Sequence, residues 1–468
     1  MPVRSSLCLM ASLVRDRAIS PVELVESHLA QIAAQNPEIN AFVTVLADEA
    51  RAAARLAENA VMHEEPLGLL HGVPVTVKDT FDVAGQPTLC GSRFRLGHKA
   101  AQDAAAVARL RAAGAIILGK TNTPEFVSTF ETDNFITGRT NNPWNLDRTP
   151  GGSSGGEAAA IASCCSAGGI ASDGGGSIRI PAHFCGIAGL KPTPGRISSI
   201  GHFPAMNHPG GLLSVVGPMA RSAEDLRLLF AVLAVYDSQD PFSAPVPLRP
   251  PSETKLRVGV FDQFYHVPVD PEIRQTVHRA GQMLADLTIP AEPFAPQGLE
   301  RAPNIWWFFM GQLTARLTEQ LIQGREADVH WTTAELLAGG LPRADQPAPT
   351  VEQLLLNLAT RDRMRAALLR QMEEFPVLLM PPCGVTAFPH RSRRWQVGDD
   401  EIGLFQATMP ATSINLLGLP AVVIPLAISR EGLPIGIQLV GRPYEEETIL
   451  DLAVRLETAR GPFASPLR

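Results

Sequence analysis

Two glycine-dense segments stand apart from the rest of the chain: Gly151-Gly152-Ser153-Ser154-Gly155-Gly156-Glu157-Ala158 and Ser172-Asp173-Gly174-Gly175-Gly176-Ser177-Ile178-Arg179-Ile180-Pro181. Each presents a serine from a loop whose glycines let backbone N–H groups approach a ligand and tolerate positive φ. The Ala-rich stretch between them predicts a helix from about Gly156 to Ala167. Consecutive N–H groups over Gly174–Ser177 suit an oxyanion or a phosphate. A phosphate loop of the G-x-x-x-x-G-K-[ST] type is excluded, because no lysine directly follows either cluster. Gly151–Gly155 matches G-x-S-x-G, but a nucleophile elbow needs a strand before it. Here Asn141 to Pro150 is a turn-rich loop. That leaves a serine nucleophile served by some other base.

Two bases are in view. His183 is the one histidine near these loops in sequence, and a remote histidine stays open because triad partners are often distant. Lys78 ends the apolar run Val73-Pro74-Val75-Thr76-Val77. Strand alternation puts the valines on one face and Pro74, Thr76 and Lys78 on the other. A lysine desolvated there loses basicity and can serve a serine. Spacing alone leaves Lys78 an ordinary strand-end lysine.

Outward from the loops, short apolar runs predict strands at Val73–Lys78, Ala115–Lys120, Val258–Phe261, Val377–Pro381, Ala421–Pro425 and Ile435–Val440. Helix starts show their caps: Ser20-Pro21-Val22-Glu23 opens a helix to about Ala34, and Ser222 and Asp270 repeat the logic. Asp103 opens another through Arg111, closed by Gly114. Alternating strands and helices predict an α/β protein with a mixed, mostly parallel central sheet covered by helices on both faces. Pro and Ser dominate 237–255, an insertion or linker, and no internal repeat is visible.

Composition bounds the rest. In 468 residues, 40 basic and 47 acidic side chains give a net charge of −7, with no basic clusters, which argues against nucleic acid as a partner. Abundant aliphatics and low net charge argue against disorder. The six cysteines form no C-x-x-C pair, so neither a disulfide scaffold nor a zinc site is expected, and a reducing compartment is. The apolar N-terminal stretch runs into Arg15-Asp16-Arg17 without a small-x-small cleavage site, and the uncharged run 158–172 is too short and too rich in Gly and Ser to span a bilayer. The chain reads as soluble, cytoplasmic and without a membrane partner.

The run from Gly151 to Ala182, with Asp173, Ser177, Arg179 and Pro181, closely resembles the signature motif of the amidase signature family. The likeness extends through Gly72–Asp79, Gly119–Phe126, Gly186–Thr193 and Gly432–Gly441, nearly the whole chain, with about 240–375 the least diagnostic part. It implies one amidase-signature domain over 1–468 with a variable, substrate-covering insertion around 240–375. It also implies a Ser–cis-Ser–Lys triad at Ser177 (nucleophile), Ser153 (bridge, after a cis Gly152–Ser153 peptide) and Lys78 (base). The oxyanion hole falls on Gly174, Gly175 and Gly176 and extends to Ser177, while Ser154, Asp173 and Arg179 hold the loop. No cofactor and no metal are implied. Two positions depart from the family: Gly174 stands where a β-branched residue is common, which predicts added backbone freedom, and Ser172 stands where threonine is usual.

The reading is therefore a hydrolase of small-molecule amides, anilides or carbamates, acting as a monomer or homodimer. The alternative is the amidase subunit of a glutamyl-tRNA amidotransferase. Val127–Asn134 departs from the pattern associated with that subunit. Ile305-Trp306-Trp307-Phe308-Phe309-Met310 is a dense aromatic block, and either core packing or an apolar pocket wall explains it. The pocket reading takes Thr129, Trp306, Trp307 and Phe308 as substrate contacts.

Overall fold

Short apolar runs become strands in the computed structural model, which describes residues 2–207, 210–251, 256–343 and 346–466. The end of the Pro- and Ser-rich stretch, 252–255, lies outside the described residues. In chain order the strands are β1 (Phe42–Val45), β2 (Pro74–Lys78), β3 (Ile116–Thr121), β4 (Gly168–Asp173), β5 (Ala188–Lys191), β6 (Val215–Ala220), β7 (Val258–Val260), β8 (Ala291–Pro293), β9 (Val377–Met380), β10 (Arg394–Val397), β11 (Asp400–Gly403), β12 (Ala421–Ile428) and β13 (Pro434–Val440). Eleven of them form one sheet in the order β1-β3-β2-β4-β6-β5-β12-β13-β9-β7-β8, and β10–β11 is a separate hairpin.

The sheet is mixed, as expected, but not predominantly parallel. Four neighbouring pairs are parallel and six are antiparallel. Among the strands that the sequence reading missed (β1, β4, β5, β6, β8, β10 and β11), β1, β5 and β6 pair antiparallel with their neighbours in the large sheet. The turn from β12 to β13, Ser429–Leu433, is also far too short for a parallel crossover.

Strand alternation sorts the two faces. Val75, Val77, Ile170, Val422 and Ile424 join one large core with the helices Ala223–Leu233 and Glu446–Arg460. Ala171 and Val423, one residue out of phase, pack on the other face with the helices Gly155–Ala162 and Arg179–Cys185. That second face carries both glycine-dense segments. Thr76 and Lys78 fall on it, as the alternation of β2 requires, and Thr76 Oγ1 donates to Glu157 Oε1 on the helix at 2.5 Å.

Helix ends follow their capping chemistry, with two departures. The Ser20 capping box forms, yet the helix continues past Ala34 to Ile39 and stops where Asn40 turns left-handed. The helix expected from Asp103 begins at Ala105, because the Asp103 carboxylate instead accepts from the Ala84 N–H at 2.7 Å and pairs with Arg111 at 2.9 Å. The helix between the glycine segments ends at Ala162 rather than Ala167. Ser163 bonds back to the Ala159 carbonyl at 2.7 Å, and the chain turns into β4.

Leu229 is fully buried in the larger core, whereas Leu56 is 71% exposed. Leu229→Ala should cost about 2–5 kcal/mol, while Leu56→Ala should stay within about 0.5 kcal/mol of wild type. Urea-unfolding midpoints of the two variants check this.

Candidate active site

β2 ends at Lys78 between the two glycine loops. The side chain is fully buried, and its Nζ donates to Ser153 Oγ at 2.7 Å and to Ser172 Oγ at 3.1 Å. Burial pushes the amine down to about 7, against the pull of Cys90, Asp173 and Glu157. The Gly152–Ser153 peptide is cis. Ser154 ties the two loops together: its N–H donates to the Ser177 carbonyl at 3.2 Å, and its hydroxyl to the Ser172 carbonyl at 3.3 Å. Ser153 and Ser177 open on the same cavity. Among the described residues the Ser177 hydroxyl has no protein partner, so the hydrogen-bonded link from Lys78 reaches Ser153.

Asp173 and Arg179 shape the second loop. Arg179 donates to both carboxylate oxygens of Asp173 at 3.0 Å, and neither side chain reaches solvent. Arg179 is held further by Gln438 at 2.7 Å and by Asn415. Asn415 returns a hydrogen bond to Asp173 Oδ1 at 2.9 Å. Burial alone would raise the Asp173 carboxyl, but the Arg179 charge and hydrogen bonds outweigh it and hold the group well below the usual carboxylate range.

The same carboxylate accepts the N–H of Gly176 at 2.7 Å and of Ile178 at 3.1 Å. Gly176 therefore leaves the expected set of oxyanion donors, because its N–H is already committed. Those of Gly174, Gly175 and Ser177 meet no protein acceptor among the described residues.

The freedom expected at Gly174 is also absent. A Cβ there would stand 2.8 Å from Ser214 Oγ and 3.0 Å from Met310 Cε, and its carbonyl accepts from Trp306 Nε1 at 2.7 Å.

The cavity has a volume of about 880 Å³. Besides the serines its walls include Thr129, Phe130, Phe203, Trp306, Trp307, Met310, Leu317 and Phe405. The aromatic block thus divides. Trp306, Trp307 and Met310 face the cavity, whereas Ile305, Phe308 and Phe309 pack in the core behind it. Phe308 stacks edge-on against Phe309 at 5.4 Å and is not a wall residue, contrary to its expected place. The helices Ala302–Trp307, Thr314–Ile322 and Trp331–Gly340, all within 240–375, supply much of this wall.

Neither nearby histidine is poised as a base. His183 spends both ring nitrogens on backbone, Nδ1 accepting from Gly436 at 2.7 Å and Nε2 facing the Val385 carbonyl at 3.1 Å. His202 lines the cavity, but Nδ1 is tied to the Pro204 carbonyl at 2.8 Å and burial pushes the ring down to about 3. Among the described residues no group of three or more His, Cys, Asp or Glu side chains is gathered to hold a metal ion. No described helix is long and apolar enough to cross a membrane.

Sequence reasoning missed Ser172 as a partner of Lys78, and Asn415 and Gln438 as supports of Arg179. A buried asparagine amid an apolar helix was the available signal for the second.

With this geometry in place, the relatives are informative. A family model described as Amidase matches residues 23–450. The chain is 34% identical over 473 residues to an indoleacetamide hydrolase of Bradyrhizobium diazoefficiens, covering 98% of this chain and 87% of that one. It is also 34% identical over 483 residues to a glutamyl-tRNA(Gln) amidotransferase subunit of Anaeromyxobacter dehalogenans, covering 97% and 96%. The fold matches a bacterial aryl acylamidase of the amidase signature enzymes with a TM-score of 0.86 at 28% identity, over 97% of this chain and 96% of that one. The chain belongs to the amidase signature family. It is an amidohydrolase, acting on amides.

Arg179→Met would leave the Asp173 carboxylate buried without its cation, at a cost of about 3–5 kcal/mol. In the wild type the Asp173 carboxyl titrates below its unfolded value, so the stability it confers is present near neutral pH and is lost as pH falls through the folded value. The deficit of the variant should therefore be largest near pH 7 and shrink in acid, as chemical denaturation at several pH values will show.

Proposed function

We propose that this enzyme cleaves the C–N bond of bulky, apolar amides, anilides or aryl carbamates through an acyl-enzyme on Ser177. One observation carries the reading: the buried Lys78–Ser153 contact opens, beside Ser177, on a large cavity walled by Trp306, Trp307, Met310 and Phe405. Ser177 Oγ attacks the carbonyl carbon while its proton passes through the Ser153 hydroxyl to neutral Lys78. The N–H groups of Gly174, Gly175 and Ser177 receive the oxyanion. Collapse expels the amine, which takes a proton back along the same relay, and water repeats the cycle to free Ser177. A carbamate presents the same carbonyl and the same nitrogen leaving group. The segment 240–375 covers the bound substrate, and the enzyme acts without a cofactor, in the cytoplasm, as a monomer or homodimer.

The likeness to amidotransferase subunits favours a second reading, the amidase component of a tRNA-dependent complex. A cavity this apolar suits glutamine poorly. Purification of the chain alone in active form supports the first reading. Co-purification with further subunits and activity only in their presence supports the second.

Ser177→Ala should abolish turnover, and Lys78→Ala and Ser153→Ala should each lower kcat by about a thousandfold or more without adding in combination. Because Lys78 accepts a proton only when neutral, kcat/KM should rise with pH and level off above about 7, the value to which burial lowers the amine. The limb thus lies near neutrality rather than in the strongly alkaline range of a free lysine. A profile falling above pH 5, or near-normal rates in Lys78→Ala, overturns the relay.

For the substrate class, kcat/KM of a nitroanilide and an N-aryl carbamate should exceed that of acetamide and glutamine. Each well-buried apolar group is worth about 1–3 kcal/mol of this preference. Trp307→Ala should narrow the gap. Glutamine or acetamide as the best substrate overturns the assignment.

A further inference from the structure

Trp306 touches the second glycine loop twice. Its Nε1–H donates to the Gly174 carbonyl at 2.7 Å, and its ring lies so close on Gly175 that a Cβ there would stand 2.4 Å from Cζ2. The ring is itself fixed. It is 8% exposed, packs in the core cluster with Phe309 and Leu213, and sits where the helix Ala302–Trp307 widens into a π-helical turn over Phe308–Leu313. A trans peptide is planar, so the Gly174 carbonyl and the Gly175 N–H point in opposite directions, and holding one aims the other. One peptide further along the same loop, Asp173 holds the Gly176 N–H at 2.7 Å. The Gly174–Gly175 peptide is thus held through its own carbonyl and through the peptide that follows it, and the first of these anchors is a ring of the aromatic wall.

We infer that Trp306 is a positioning residue for the reaction: its indole N–H fixes the tilt of the Gly174–Gly175 peptide so that the Gly175 N–H meets the developing oxyanion. The inference rests on the reading of Ser177 as nucleophile and of this loop as oxyanion hole. The ring that bulky substrates lie against is then also the group that sets the donor. Loss of its N–H falls on the transition state and spares ground-state binding. Met310, on the same wall without a polar atom to offer Gly174, contributes contact area alone.

Two replacements in the full-length enzyme test this. Trp306→Phe removes the N–H with part of the ring, and 3-benzothienylalanine at position 306 keeps the bicyclic shape and removes only the N–H. The second carries the test if the first lowers thermal stability. With an N-aryl amide as substrate, both should lose about tenfold to a hundredfold in kcat while KM stays within about threefold, since an indirectly held donor is worth somewhat less than a deleted one. Inhibition by an aryl trifluoromethyl ketone, which presents an oxyanion after serine addition, should weaken in parallel, while inhibition by the product acid holds. Met310→Ala should instead raise KM. Unchanged kcat in the benzothienylalanine enzyme, a rise in KM in place of the fall in kcat, or equal weakening of ketone and product acid overturns the inference. Ser177→Ala separates the two layers. Retained activity there refutes the nucleophile itself, whereas its loss alongside a wild-type benzothienylalanine enzyme refutes only the role of Trp306.

Discussion

Neither Asp173 nor Arg179 reaches water, so the cost of holding two charges inside must be offset by their bidentate contact and by the groups around them. Those groups come from distant parts of the chain: Asn415 from the helix Leu404–Leu417, and Gln438 from β13. The pair therefore does more than hold a loop. It requires β4, the helix after the loop, β13 and a remote helix to meet at one point before either charge is satisfied. The carboxylate then draws in the N–H groups of Gly176 and Ile178, which bends the backbone around Ser177. Apolar residues could replace such a pair at little cost in stability. They could not hold those N–H groups, and the shape of the glycine loop would be lost with them.

The two buried lysines on neighbouring strands show how environment assigns roles. Lys120 on β3 meets the Asp79 carboxylate at 2.7 Å and the Pro87 carbonyl at 2.5 Å, so it ties the chain after β2 to the sheet. Lys78, on the opposite face, meets only the hydroxyls of Ser153 and Ser172 among the described residues, and the carboxylates that influence it act at a distance. A buried ammonium without a touching counter-ion is costly, and the neutral amine is correspondingly favoured. Glu157 sits one layer below and is itself pushed up to about 7 by burial. It accepts from Thr76 and Thr121 rather than from Lys78. The hydroxyl groups of this face thus keep carboxylate and amine apart, and leave Lys78 able to exchange a proton.

How much of this the sequence revealed follows from the range of each interaction. Period-two alternation along Val73–Lys78 correctly put Lys78 on the face opposite the valines, since local sterics decide that choice. Glycine density marked both serine loops for the same reason. By contrast, β4 and β6 read as Gly168-Gly169-Ile170-Ala171-Ser172-Asp173 and Val215-Val216-Gly217-Pro218-Met219-Ala220, compositions poor in strand formers. They are strands because burial on both faces leaves the backbone no partner except a neighbouring strand. Pro218 even sits opposite Ile170 inside the sheet. The commitment of the Gly176 N–H to Asp173 lay equally beyond motif reading, which names donors without showing which are already used. The contacts of Arg179 with Asn415 and Gln438 span 236 and 259 residues, and no local pattern encodes them.

The aromatic block posed a choice between core and pocket that the structure dissolves. A helix presents about a third of its residues to each neighbour, so six consecutive large side chains must serve more than one surface. Ile305, Phe308 and Phe309 fill the second core cluster, and Trp306, Trp307 and Met310 turn to the cavity. The π-helical turn over Phe308–Leu313 adds a residue to the turn and keeps both sets in register with their neighbours. Trp307 lies against the faces of Gly311 and Gly339, positions where a Cβ would stand 2.4 and 3.3 Å from its ring. Small residues on these two helices thus make room for large ones at the wall. The sheet and its glycine loops present the serine hydroxyls and the lysine amine in one fixed arrangement, while the helices of 302–340 decide the space above them. Changes in that segment can therefore reshape what enters the cavity without disturbing Lys78 and Ser153. Trp306 is the exception, because among the described wall aromatics it alone also bonds to the glycine loop.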